Sequence, residues 1–281
     1  MLRPIFSAMK KTFAAGLAAA ALFAAPLSAE ERGLALGYNV YIGGINTIEI
    51  DFNSLIAPER YALDMKLRAG NFLRLFFSAQ MTAFSQGRFA AGRPVPVKAG
   101  TDSVWNGNKR RIRLNYGRPG DAPRAETVPP VKEEARTPVT PEMKRGTHDL
   151  TGAVLQILNT VGQSDKCDAS ARVFDGRRAY VIHLKEGKKV KIRRTGYSVY
   201  AGEALKCRLV MERLGGYRTD LDYADKPTND RVYVWLGTPF KGAPPVPVRM
   251  EFETRFGWLI AHLTKASLDR SGETIRLTRA D

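Results

Sequence analysis

The sequence predicts a mainly β fold: a curved antiparallel sheet, forming an open or half barrel, with one amphipathic helix packed on it. Three observations carry that expectation. Most of the chain alternates apolar with small or polar residues at period two, as strands with one buried face do. The alternating runs are short, and turn signals separate them at regular spacing. One stretch, His148 to Val161, changes to the 3.6-residue period of a helix. With 281 residues, 44% of them hydrophobic and 26% charged, the chain is long enough for a large β-domain with a sizeable core, and wholesale disorder is not expected. The same balance excludes a disulfide-dense mini-protein and a polytopic membrane protein.

In chain order, Lys10 and Lys11 precede an apolar run from Phe13 to Ala25. Pro26-Leu27-Ser28-Ala29 follows, then the charged Glu30-Glu31-Arg32. This is the pattern of a secretory signal peptide over residues 1–29, cleaved after Ala29. The apolar run is shorter than the ~20 residues of a spanning helix. Translation starts at Met1 or at Met9, whose Met9-Lys10-Lys11 gives the better basic n-region. Residues 30–281 then form a single β-rich periplasmic domain.

Leu34, Leu36, Tyr38, Val40 and Ile42 alternate, Gly43-Gly44 turns the chain, and Ile48, Ile50 and Phe52 return as a hairpin. Tyr61, Leu63, Met65 and Leu67 supply a third strand. Residues 70–84 carry two patterns: Phe72, Leu73, Phe76 and Phe77 suit a short helical turn, and Phe77, Ala79, Met81 and Ala83 suit a strand after it. Val95, Val97 and Asp102–Trp105 lead into Asn106-Gly107, a strong hairpin turn, and Arg111–Tyr116 alternates again. From Gly117 to Gly146, Pro119, Pro123, Pro129, Pro130, Pro138 and Pro141 fall among charged residues, which predicts a flexible Pro-rich insertion over 118–146.

Leu150, Val154, Ile157, Leu158 and Val161 form the apolar stripe of the helix. Thr147 or Asp149 is placed to cap it and Gly162 to end it. Asp175-Gly176 is a turn signal between Ala171–Phe174 and Ala179–Leu184. Lys185-Glu186-Gly187-Lys188 reads as a second turn, before Val190–Arg193. Further strands are expected over Tyr197–Tyr200, Ala204–Met211, Val232–Leu236, Val246–Phe252, Trp258–Lys265 and Thr274–Thr278. Cys167 and Cys207 are the only cysteines, and in an exported chain such a pair is expected to be bridged.

Several of these blocks resemble the domain-of-unknown-function family 3108, a set of exported proteins of Gram-negative bacteria. They are Val173-Phe174-Asp175-Gly176-Arg177-Arg178-x-Tyr180 with Cys167 before it, Tyr200-Ala201-Gly202-Glu203-Ala204-Leu205-Lys206-Cys207, Pro245-Val246-Pro247-Val248-Arg249, and the helix start His148-Asp149-Leu150-Thr151-Gly152-Ala153-Val154-Leu155. The resemblance spans nearly the whole mature chain and implies a periplasmic β-rich domain. It brings no catalytic residue to any position here. The architecture is also similar to curved-sheet envelope proteins such as the periplasmic lipoprotein carriers, a likeness of fold that does not fix function.

Motifs of chemistry are sparse. His148, His183 and His262 are scattered, with no pair at metal-ligand spacing. The sequence holds no nucleophile elbow, Walker loop or dinucleotide fingerprint. Asp220 and Asp222 share a strand face, in a polar setting. Neither a catalytic residue nor a cofactor or metal is expected. The charge says more: 44 Lys and Arg stand against 28 Asp and Glu, for a net charge of +16. In strands, Lys189, Lys191 and Arg193 face away from Val190 and Ile192, and Arg111 and Arg113 face away from Ile112 and Leu114. Arg177 and Arg178 sit just past a tight turn. The first five are the candidate anion-binding residues. In an exported protein their partners are expected to be lipid or lipopolysaccharide phosphates, or an acidic envelope protein, with peripheral contact to a membrane and not nucleic acid. The chain is expected to act as a monomer, binding a hydrophobic or anionic envelope component without catalysis. The alternatives are an interaction module docking on an envelope protein complex and, with less support from the residues, an envelope hydrolase.

Overall fold

The computed structural model describes residues 31–71, 73–75, 78–132, 136–219, 231–254, 257–270 and 272–277. The expected signal peptide and the Asp220/Asp222 pair lie outside the described residues. The first half of the fold is a meander of seven strands: β1 (Arg32–Ile42), β2 (Ile45–Ile56), β3 (Arg60–Ala69), β4 (Ala79–Ala90), β5 (Arg93–Trp105), β6 (Asn108–Asn115) and β7 (Arg124–Val128). Helices α1 (Pro141–Lys144) and α2 (Leu150–Ser164) follow. The second half holds β8 (Ala169–Phe174), β9 (Ala179–Ile192), β10 (Gly202–Gly215), β11 (Val232–Gly237), β12 (Val246–Thr254), β13 (Gly257–Arg270) and β14 (Glu273–Leu277).

All these strands belong to one antiparallel sheet, in the order β7-β6-β5-β4-β3-β2-β1-β13-β12-β11-β10-β9-β8, with β14 paired to β13. Within each half the neighbours in space are neighbours in sequence, and tight turns such as Gly43-Gly44 and Asn106-Gly107 fix the register of the hairpins they join. The halves meet in one long-range ladder, from Arg32 opposite Arg270 to Ile42 opposite Leu259. The sheet curls until its two ends face each other. There Ala99 and Leu114, from β5 and β6, share an apolar cluster with Phe174 and Ala179, from β8 and β9. This seam is side-chain packing, with no ladder between β7 and β8, so the barrel is open as the sequence predicts.

Helix α2 lies in the curl and contacts β8 on one side and β3, β4 and β5 on the other. Asp149 caps it: one carboxylate oxygen accepts the N–H groups of Thr151 and Gly152 at 2.9 and 3.1 Å. The other accepts the Ser85 hydroxyl of β4 at 2.6 Å. The helix ends at Asp165, in the left-handed conformation, and not at Gly162. Ala153, Ile157 and Val161 join Val173, Leu184 and Cys207 in the main core cluster. The buried face runs along Ala153, Ile157 and Val161, with Thr151 and Gly152 also buried in the first turn, while Leu150, at the head of the predicted stripe, remains 42% exposed. Gly152 lets the first turn approach Ser85 of β4 closely, and Leu150, at the N-terminal end of the helix, faces a cavity.

Three local expectations change. Lys185–Lys188 is not a turn: β9 runs through it and breaks register with β10 between Lys206 and Arg208. The long partner strand β10 keeps the chain straight, and one residue, Glu186, absorbs the irregularity at φ 56°. Tyr197–Tyr200 is not a strand: Thr195 and Ser198 bridge across a tight turn at 196–197, and 199–200 continue irregularly. The Pro-rich stretch carries more secondary structure than its composition predicts. β7 pairs with β6 along Arg124–Val128, Arg136 bridges to Arg218, and α1, capped by Thr140, packs Met143 onto the seam.

Cys167 and Cys207 are bonded, with 5.5 Å between their Cα atoms. The bridge ties the chain just before β8 to the middle of β10. Closing a separation of 40 residues stabilises by about 4 kcal/mol in the chain-entropy model. Urea unfolding with and without reductant should show a loss of that order, and thiol labelling of the denatured, unreduced protein should find no free cysteine. Replacing Asp149 with Ala should cost about 1–2 kcal/mol, read as a lower urea midpoint with the slope unchanged.

Candidate functional site

Cavities lie at both ends of α2. The one at its C-terminal end is about 960 Å³, bounded by Leu158 and Asp165 of the helix, Lys189 of β9 and the 236–245 segment. The one at its N-terminal end is about 700 Å³ and is walled by Met65, Met81, Trp105, Ile112 and Leu150. A smaller cavity of about 290 Å³ adjoins the second and shares Arg110, Ile112, Pro129 and Arg177 with it. The last two therefore adjoin at the seam.

Strand alternation explains the walls. In β6, Ile112 and Leu114 point into the curl, so Arg110 does too, and Arg111 and Arg113 point outward. On the outer face Asp102 stands opposite Arg111 and pairs with Arg111 at 2.9 Å and with Arg113 at 2.6 Å. Burial pushes the Asp102 pKa up, but the two guanidiniums outweigh it and hold the carboxyl below its ordinary range. Lys189 reaches Asp165 at 2.5 Å, at the far end of α2. Lys191 and Arg193 stand exposed beyond it. The five candidate anion-binding residues thus fall on two strands near opposite ends of the sheet, and acidic neighbours already engage three of them.

A different set of arginines gathers at the seam. Arg110 comes from β6, Arg177 from the β8–β9 turn and Arg136 from the segment after β7, and all three line the 290 Å³ cavity. The turn is held by Asp175, whose carboxylate accepts the N–H groups of Arg177 and Arg178 and pairs with the Arg178 guanidinium at 2.7 Å. Two glycines make the convergence sterically feasible. A Cβ on Gly176, at φ 87°, would lie 2.4 Å from Ile112, and one on Gly216, at φ 84°, would lie 2.0 Å from the Arg177 carbonyl oxygen. The Gly216 carbonyl accepts a hydrogen bond from Arg136 at 2.8 Å. The buried Nε of Arg177 has no acceptor among the described residues. Burial, and then the neighbouring Arg178, Arg110 and Arg136, lower the Arg177 pKa from its ordinary value. Arg110 was legible in the sequence as the residue in phase with Ile112 and Leu114. The turn pair Arg177-Arg178 was visible too, but nothing in the sequence placed it against β6 or brought Arg136 to it.

Asp149 and Tyr180 lie where the larger cavity meets the helix. Nearby, the buried hydroxyls of Tyr61 and Tyr116 have no hydrogen-bond partner among the described residues, and burial raises both pKa values. The three histidines line none of these cavities. His183 faces Glu212 at 3.2 Å. Burial lowers His148 from 6.5 to about 4. His262 stacks on Tyr197 with 5.5 Å between ring centroids, and burial, then Arg249, lower it to about 4. An apolar wall beside guanidiniums that no described carboxylate pairs can hold a molecule with an apolar body and an anionic end.

A family model described as a protein of unknown function, DUF3108, matches residues 37–264. No curated protein matches the sequence. Among solved structures, the chain is similar to a β-barrel-like protein of domain of unknown function DUF1849 from Brucella abortus. The identity is 10%, the match covers 88% of this chain and 99% of that one, and the TM-score is 0.45.

His148 and His262 set an acid limit to the fold. With a folded pKa of about 4 against 6.5 for His262, the unfolded chain binds more protons in that window, so stability is lost as pH falls through it. Urea unfolding of wild type and His262→Phe at pH 7, 6 and 5 should show the variant gaining on wild type at each step down.

Proposed function

This chain belongs to the DUF3108 family, and on that premise we propose that it is a non-enzymatic, exported binder of a hydrophobic envelope component, which it takes into the seam cavity. The observation that carries this reading is the 700 Å³ cavity walled by Met65, Met81, Trp105 and Leu150. Its volume falls in the range of small-molecule sites, and Trp105 and Leu150 remain 46% and 42% exposed at it. Export rests on residues 1–29 and agrees with the Cys167–Cys207 bond, which belongs to an oxidising compartment. Binding is favoured over hydrolysis because the carboxylates at the cavity are otherwise engaged: Asp149 caps a helix and Asp175 clasps a turn.

The second reading, docking on an envelope protein, draws on β7. It ends the sheet, its residues other than Thr127 are exposed, and Val128 is 62% exposed. Such an edge can pair with a strand of a partner. Loss of an envelope-protein pull-down on changing Val128 to Lys, with lipid binding intact, would favour it.

The cavity reading is tested with N-phenyl-1-naphthylamine, a neutral apolar dye that fluoresces when desolvated. Wild type should bind it saturably. Met81→Arg, which places a charge on the cavity wall, should weaken binding roughly tenfold or more with the circular dichroism spectrum unchanged. Absence of saturable binding by wild type, or an unchanged affinity in the variant, would sink the reading.

A further inference from the structure

We propose that Arg110, Arg136 and Arg177 form a cradle for the phosphate monoester head of a single-chain amphiphile whose acyl part lies in the adjoining cavity. The proposal deepens, and rests on, the reading that this cavity takes an apolar chain.

Three segments distant in sequence deliver these three guanidiniums to one 290 Å³ space, which Lys132 and Arg218 also line. Among the described residues, none of the three has a carboxylate within 4.0 Å, whereas Arg178 beside them is paired with Asp175 at 2.7 Å, and Arg111 and Arg113 on the other face share Asp102. Gathering like charges at a partly buried seam is unfavourable unless an anion offsets them. Arg177 is the most constrained of the three. Its backbone is fixed by the Asp175 clasp, Gly216 packs on its carbonyl, and its buried Nε lacks an acceptor. No described residue accepts from that donor, and a ligand oxygen is the partner we assign to it.

The chemistry of the head follows from number and geometry. Guanidiniums are planar forks that match phosphate oxygens two at a time. A phosphate monoester brings close to two negative charges and three acceptor oxygens, enough for three arginines where a carboxylate is not. The tail follows from adjacency. Arg110, Ile112, Pro129 and Arg177 line both spaces, so the head site and the chain site adjoin. A 700 Å³ cavity suits one chain.

Calorimetry on the full mature protein, in phosphate-free buffer, tests this with three probes: 1-oleoyl-lysophosphatidate, 1-monooleoylglycerol and inorganic phosphate. Wild type should bind the lysophosphatidate at least about tenfold more tightly than the monoglyceride. In the Arg110→Gln, Arg177→Gln double variant that preference should vanish while monoglyceride affinity stays. The ligand-free double variant should also melt at the same temperature as wild type or higher, because removing unpaired like charges relieves the fold. A lower melting temperature would mark these arginines as structural and overturn the proposal. Equal binding of the two lipids by wild type, or a preference that survives the double variant, overturns the headgroup assignment and leaves the cavity reading standing. If neither lipid binds, both fall, and binding of inorganic phosphate alone then marks a free-anion site in place of the amphiphile.

Discussion

The carboxylate of Asp149 is buried between the first turn of α2 and strand β4, and it accepts three hydrogen bonds there. Burial raises its pKa even against those donors, so the group is held at a cost in desolvation. What it gives in return is position. Because the same side chain caps the helix and accepts from Ser85, the helix cannot slide or rotate along the sheet without orphaning buried donors. Gly152 completes the fit, since a Cβ there would meet Asp149 at 2.8 Å and Ser85 at 3.2 Å. With its first turn fixed this way, α2 presents Leu150 to one cavity and Leu158 to the other. The two spaces are a consequence of one polar anchor in an otherwise apolar interior.

The seam shows how a sheet can curl without closing. A ladder across β7 and β8 would satisfy edge groups but fix the spacing of the two ends. Packing of Leu114, Phe174 and Ala179 holds the strand faces together, a few backbone bonds between Thr137 and Gly216–Tyr217 tie the segments beyond them, and a close contact between Gly176 and Ile112 sets the approach. The polar consequences collect at the rim, where strand ends and turns bring arginines inward. The functional candidates therefore sit at the place where the regular hydrogen-bond pattern stops.

Much of the fold was legible because the residues obey local rules. Gly43-Gly44, Asn106-Gly107 and Asp175-Gly176 all turn the chain where the sequence places them, and Asp149 caps the helix. The misreadings share one cause, tertiary context. Lys185–Lys188 has turn composition, yet a long partner strand pulls it straight with a bulge. The 118–146 stretch has linker composition, yet β6 offers it an edge and the seam offers Met143 a surface. The site was half legible. Alternation separated inward from outward residues on β6 correctly, but the outward arginines drew notice because their apolar neighbours made the pattern obvious. The convergence of Arg110, Arg136 and Arg177 depends on the curl of the whole sheet, which no local window encodes.

The ladder between β1 and β13 has a consequence for the order in which the molecule assembles. β1 is made early, and its partner is made more than two hundred residues later, since Arg32 pairs with Arg270. Each meander can zip through neighbouring hairpins as it emerges, because those contacts are local and entropically cheap. The first meander must then wait with the outer edge of β1 unpaired, an open template for other strands. Joining the halves closes the longest loop in the molecule, so this ladder carries the largest loop-closure entropy cost among the strand pairings. A chaperone that covers the edge of β1 during this interval would act where the nascent chain is most vulnerable.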